Sequence, residues 1–155
     1  MLKPLEQFYC DTCGQIIRTP NEGWFEWIST YNETTGQTID KEFRICHHNS
    51  KCQIHGTKRR GCSDVHLTDF LGEIGIINLL SMIDPGPYHS PVYKGPSVKD
   101  FREFTEIARR LTIPYYEEAR QWWKEATNDG YFSDCNEIYI YLPSSLKSMI
   151  EHYSK

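Results

Sequence analysis

Two cysteines separated by two residues, with glycine directly after the second, stand near the start of the chain as Cys10-x-x-Cys13-Gly14. Thiolates on one tight turn can reach a single metal ion, and glycine supplies the unusual backbone that such a turn needs. A redox Cys-x-x-Cys usually precedes a helix in a βαβ setting, whereas short candidate strands at 8–10 and 16–18 flank this one. The N-terminus lacks the basic-then-apolar pattern of a signal peptide. The expected compartment is therefore cytoplasmic, where thiols stay reduced and the six cysteines of the chain point to metal before disulfides.

Zinc takes four ligands at tetrahedral corners, usually thiolate sulfur or imidazole nitrogen. The second pair is sought in Cys46-His47-His48-Asn49-Ser50-Lys51-Cys52. His48-x-x-x-Cys52 has the tightest knuckle-like spacing, so the expected set is Cys10, Cys13, His48 and Cys52 around a structural Zn2+. His47, Cys46, His55 and Cys62 are rivals. If Phe43, Ile45 and His47 face a core, Cys46 and His48 share the opposite side of the strand, and His47 becomes a buried histidine. A catalytic zinc would keep one position open for water and want a carboxylate base nearby. The chain has no His-Glu-x-x-His, and nothing links Asp64 or His66 to the cluster. It also lacks a nucleophile elbow and a phosphate loop, which counts against an enzyme.

The character of the chain changes near residue 64, which divides it into 1–64 and 65–155. In the first part, residues 24–31 and 41–47 have strand composition, and Asn32-Glu33-Thr34-Thr35-Gly36 between them signals a turn. In the second part, Phe70, Leu71, Ile74, Ile77 and Leu80 recur at helical spacing over 68–83. That stretch is the most apolar in the chain, but Asp69, Glu73, Asn78 and Ser81 make it too polar to span a bilayer. Ser97 through Asp100 looks like a capping box for a helix burying Phe101, Phe104, Ile107, Ala108 and Leu111. Pro114 opens another helix, with Tyr115, Ala119, Trp122, Trp123 and Ala126 on one side and Gly130 at its end. Residues 131–133 and 137–142 read as a hairpin. After Pro143, Ser144 caps a last helix carrying Leu146, Met149, Ile150 and Tyr153.

The fold class is therefore α+β: a small zinc-stabilised antiparallel β module followed by a helical domain. Residues 8–55 resemble a zinc ribbon in their knuckle, hairpin and second knuckle. Residues 97–142 look like a winged helix with a modified turn. Zinc ribbons mostly serve as structural elements in proteins that touch nucleic acid or other proteins, so the resemblance implies a regulatory, nucleic-acid-associated protein. Lys51, Lys58, Arg59 and Arg60 form the basic patch that would contact phosphate. The recognition helix would be 115–124, with Glu117, Glu118, Arg120, Gln121, Lys124 and Glu125 on its polar side. Its acidity is poor for approaching phosphates. The net charge of −4 points the same way, as do 9 Lys and Arg against 13 Asp and Glu in residues 65–155. The alternative is a protein-interaction adaptor or inhibitor with purely structural zinc. Arg109-Arg110 reads as a solvated pair, with Glu106 one helical turn before Arg110.

Overall fold

The computed structural model describes every residue except 56–60, 85 and 87–94. Two short strands, β1 (Phe8–Tyr9) and β2 (Ile16–Ile17), pair antiparallel on either side of the Cys-x-x-Cys turn. A long hairpin follows, made of β3 (Gly23–Asn32) and β4 (Gln37–His47). Its turn is closed locally: Asn32 Oδ1 accepts the N–H groups of Thr34 and Thr35 at 3.0 and 3.1 Å, and Gly36 adopts φ 66°. Glu26 pairs with Arg44 but Ile28 with Lys41, so β4 carries one extra residue there. Glu42, at φ 59°, takes up that bulge. A third strand, β5 (Gly61–His66), adds to β3, giving the antiparallel order β4-β3-β5. Its sequence, Gly-Cys-Ser-Asp-Val-His, lacks apolar alternation, and the strand crosses residue 64.

One face of this sheet is apolar. Phe25 lies 4.3 Å from Phe70 and 6.1 Å from Phe43, which in turn meets Phe104 edge-on at 5.6 Å, all between ring centroids. These rings join Phe8, Ile17, Ile45, Leu67, Leu79, Ile107 and Leu111 in a first hydrophobic cluster. The cluster therefore draws on both sides of residue 64. A second cluster, Tyr116, Ala119, Ala126, Leu146, Met149 and Ile150, lies wholly in the C-terminal part.

A 3-10 turn (Leu67–Phe70) leads into α1 (Gly72–Ile83). Ile74, Ile77 and Leu80, expected to face the core, are 64, 62 and 59% exposed, while Gly75 and Leu79 are buried in their place. Gly75 sets that rotation: a Cβ there would fall 2.2 Å from the Phe70 carbonyl, so only glycine lets the helix seat against that backbone. The next helix, α2 (Phe101–Thr112), is capped by Asp100 itself, not by Ser97; Asp100 Oδ1 accepts the N–H groups of Arg102 and Glu103 at 2.9 and 3.0 Å. Phe104, Ile107 and Leu111 are buried as expected, whereas Phe101 is exposed.

The single helix expected after Pro114 is broken into α3 (Tyr116–Ala119), a 3-10 turn (Arg120–Trp122) and α4 (Trp123–Asn128). Tyr115 precedes it in the left-handed region at φ 70°. Gly130, at φ 65°, ends α4, with the Tyr131 N–H reaching back to the Ala126 carbonyl at 2.9 Å. The expected hairpin over 131–142 is absent. Asn136 draws the chain into a turn, its carbonyl accepting the Tyr139 N–H at 2.9 Å and its Oδ1 the Ile138 N–H at 3.0 Å. A 3-10 turn (Tyr139–Tyr141) follows. Tyr131, Phe132 and Tyr141 pack together on the second cluster, which strand alternation would not allow. The last helix, α5 (Pro143–Tyr153), begins with proline in its first turn and buries Leu146, Met149 and Ile150. The fold is thus a mixture of helices and antiparallel sheet, and among the described residues no helix is long and apolar enough to cross a membrane.

The rotation of α1 is open to test by unfolding in urea. Leu79→Ala should lower stability by ~2–4 kcal/mol, because it empties a packed site. Ile77→Ala should cost ~0.5 kcal/mol or less, as for a surface position. The reverse order would restore the helix face expected from sequence.

Candidate metal centre

The Cys-x-x-Cys turn is held against the outer edge of β4. The Asp11 N–H donates to the Ile45 carbonyl at 2.8 Å, and the Ile45 N–H donates to Asp11 Oδ2 at 2.7 Å. Within the turn, the Cys10 N–H reaches the Gln15 carbonyl at 2.9 Å and the Gly14 N–H reaches the Cys10 carbonyl at 2.8 Å, with Gly14 at φ 71°. Cys52 arrives on a second tight turn. Its N–H donates to the Asn49 carbonyl at 3.0 Å, and the Thr12 hydroxyl donates to the Cys52 carbonyl at 2.6 Å.

These restraints bring Cys10, Cys13, His47 and Cys52 together, with one ligand atom from each lying within 4.8 Å of the others. Cys13 Sγ and His47 Nδ1 are 3.5 Å apart. Tetrahedral zinc bonds of ~2.3 Å to sulfur and ~2.0 Å to nitrogen put neighbouring ligand atoms ~3.5–3.8 Å apart, so the four donors need little adjustment to hold an ion.

The histidine differs from the one expected. His48 lies away from the thiols: its N–H donates to the Glu22 carbonyl at 2.8 Å, and its ring meets Trp24 edge-on at 4.4 Å. Trp24 in turn stacks on His66 at 4.4 Å. The strand alternation expected for Phe43, Ile45 and His47 holds, but the cysteine turn lies on their side of β4, so His47 reaches it and His48 does not.

Cys46 is fully buried on the opposite face. Burial pushes its thiol well above the ordinary range, and the neighbouring Glu26 carboxylate adds to the effect. Cys62, on β5, is raised in the same way. His55 is exposed and outside the cluster. Lys51 is exposed on the turn before Cys52, while Lys58, Arg59 and Arg60 lie outside the described residues.

The thiols are electrostatically unequal. Burial pushes Cys10 up, but hydrogen bonds from the backbone of Cys13, His47 and Thr12 outweigh it and lower the thiol to about 6. Cys52 is pushed up to about 11 by burial and then by the Cys10 and Cys13 thiols beside it. Crowded thiolates repel one another, and a divalent cation is the natural counter-charge for such a set.

A feature that sequence reasoning misread ties this centre to the helices. Arg110 is almost fully buried. It donates from Nη1 to Asp11 Oδ2 at 2.7 Å, from Nε and Nη2 to the two Glu117 oxygens at 2.6 and 3.0 Å, and from Nη2 to the Tyr9 carbonyl at 3.3 Å. Arg120 bridges the same two carboxylates at 3.2 Å each. Glu117 also accepts the Tyr9 N–H at 2.9 Å. Asp11 stands between the two cysteines of the turn, so the cysteine turn and α3 are joined by one ionic network. Glu117, Glu118 and Arg120 therefore face inward and do not form the solvent-exposed face of a recognition helix.

No protein-family model, curated protein or solved structure matches the chain.

Removing Arg110 would strip the buried Glu117 of its two-pronged partner and leave it only Arg120 and the Tyr9 N–H. Arg110→Met should cost ~3–5 kcal/mol, as for a broken buried pair, whereas Arg102→Met on the exposed side of α2 should cost ~0.5 kcal/mol or less. Urea midpoints of the two variants measure the difference.

Proposed function

We propose that Cys10, Cys13, His47 and Cys52 hold one structural Zn2+, and that the chain is a binding module whose partner is a protein. The observation that carries this reading is the closed set of four protein ligands, two of them on a turn anchored through Asp11 to Arg110 and Glu117. A set of three sulfurs and one nitrogen favours zinc among the common divalent ions. Four protein ligands leave no open position for water or substrate, the mark of a structural site. Its role is then to fix β1, β2, β4 and the turn at Cys52 against α2 and α3. Support for a protein partner comes from the acidic excess in residues 65–155 and from the aromatic side chains lining the helical part.

The second reading is a regulatory role in association with DNA or RNA, which the zinc-ribbon resemblance implies, while the winged-helix resemblance loses its hairpin and its continuous recognition helix. Lys51 favours it, being exposed on the turn that delivers Cys52, at the start of the segment carrying Lys58, Arg59 and Arg60. An electrophoretic shift assay with mixed DNA and RNA at low salt separates the two readings. The protein-binding reading expects no shift. A shift that disappears when Lys58, Arg59 and Arg60 are changed to alanine would replace it with the second.

Elemental analysis tests the metal. The purified protein should carry one zinc per chain, Cys13→Ser and His47→Ala should lose it, and His48→Ala should keep it. Loss in His48→Ala with retention in His47→Ala would return the ligand set to the one expected from sequence. A stable, zinc-free wild-type chain would remove the metal altogether.

A further inference from the structure

A large cavity lies away from the candidate metal centre, between α2 and the C-terminal helices. It encloses about 920 Å3 and is lined on one side by the rings of Tyr116, Trp123, Phe132 and Tyr141. That volume is within the range that specific ligand sites occupy. Tyr116, Trp123 and Tyr141 form a mutual triad with centroids 6.0 to 6.2 Å apart, and Phe132 extends it at 6.2 Å from Trp123. The facing wall is the side of α2 that carries Asp100, Glu103 and Glu106 at successive intervals of three residues, with Arg102 and Arg109 among them.

Two observations decide what such a groove would take. First, its aromatic wall already holds a cation: the Arg109 guanidinium sits 4.3 Å above the centroid of the Tyr141 ring. Ring faces carry the negative end of the aromatic quadrupole and attract ammonium and guanidinium groups. Second, the carboxylates outnumber the guanidiniums. Asp100 Oδ1 caps α2, Glu103 Oε1 accepts the Phe43 N–H at 2.9 Å, and Glu106 Oε2 accepts the Tyr116 hydroxyl. Among the described residues no hydrogen bond or ion pair engages the second oxygen of Asp100 or Glu106. The groove thus combines apolar ring surface with a surplus of negative charge.

We propose that this groove binds a basic side chain of a partner protein, its aliphatic stem on Trp123 and Phe132 and its cationic head beside Glu106 and Asp100. A lysine or arginine side chain has that composition, an apolar stem ending in a charge. Arg109 completes the pattern of an interaction hot spot, which is rich in Trp, Tyr and Arg. This deepens the protein-binding reading by naming what the partner presents, and it does not depend on the identity of the metal.

The test uses the full zinc-loaded chain and follows the Trp123 indole N–H by NMR, assigned with Trp123→Phe. The probes are a short lysine-centred peptide, the same peptide with norleucine in place of lysine, and choline. The lysine peptide should shift the Trp123 signal saturably, with the norleucine peptide at least ~10-fold weaker, as expected for a charge contact near 1.4 kcal/mol. Glu106→Gln, which keeps an acceptor for the Tyr116 hydroxyl, should weaken lysine-peptide binding ~5- to 10-fold. Zinc content and circular dichroism show that this variant keeps its fold. Equal binding of the norleucine peptide would make the groove merely apolar and overturn the inference. Tighter binding of choline would assign it to a free small cation and overturn it as well. A protein partner that binds the chain without displacing the lysine peptide would sink this inference alone, leaving the protein-binding reading intact.

Discussion

A single buried guanidinium connects the parts of this protein. Moving a charged arginine out of water is expensive, and only good geometry with several partners offsets the cost. Arg110 has that geometry: two carboxylates from different parts of the chain and a backbone carbonyl use its N–H groups. Glu117 comes from α3 and Asp11 from the Cys-x-x-Cys turn, so the chain brings together residues 99 positions apart. Because Asp11 also bonds both ways with Ile45, the ionic network fixes the turn on the edge of β4. The cysteines on either side of Asp11 then point toward His47 and Cys52.

This dependence explains why the candidate metal centre was legible in the sequence only in part. Cys10 and Cys13 could be found because thiolate spacing is a local property of a turn, whereas Cys52 was reached through its spacing from His48, which is not in the cluster. The histidine could not, since choosing between His47 and His48 requires knowing which side of β4 the turn lies on, and Asp11 and Ile45 settle that through tertiary hydrogen bonds. Arg110 was read as solvated for a related reason. Its apparent partner Glu106 lies one turn earlier on the helix, whereas its real partners lie beyond the helix or a hundred residues away. Local pattern cannot weigh a distant partner.

The helical elements show the same boundary between local and tertiary information. Phe104, Ile107 and Leu111 of α2 and Leu146, Met149 and Ile150 of α5 follow from periodicity, and the Gly130 cap from the chemistry of one residue. The face of α1 does not, because that helix is apolar nearly all round and its rotation is set by the close approach of Gly75 to the Phe70 backbone. The missing hairpin has a similar cause. Aromatic residues over 131–141 have strand composition, yet Asn136 turns the chain and the rings serve a shared cluster and the wall of a groove.

The two turns that carry the thiols have different polar anchors. Asp11, Arg110 and Glu117 hold the first at the edge of β4. For the second, the fully buried Glu26 accepts Arg44 Nε at 3.3 Å and the Ile54 N–H at 2.9 Å, while Arg44 Nη2 donates to the Cys52 carbonyl at 3.0 Å. The Thr12 hydroxyl, on the first turn, bonds the same carbonyl and links the two. Ordering a residue's backbone costs ~1–2 kcal/mol, and anchors of this kind meet part of that cost before any ion binds. A metal held by such turns would complete a placement that these anchors begin, and would keep the thiolates together against their mutual repulsion.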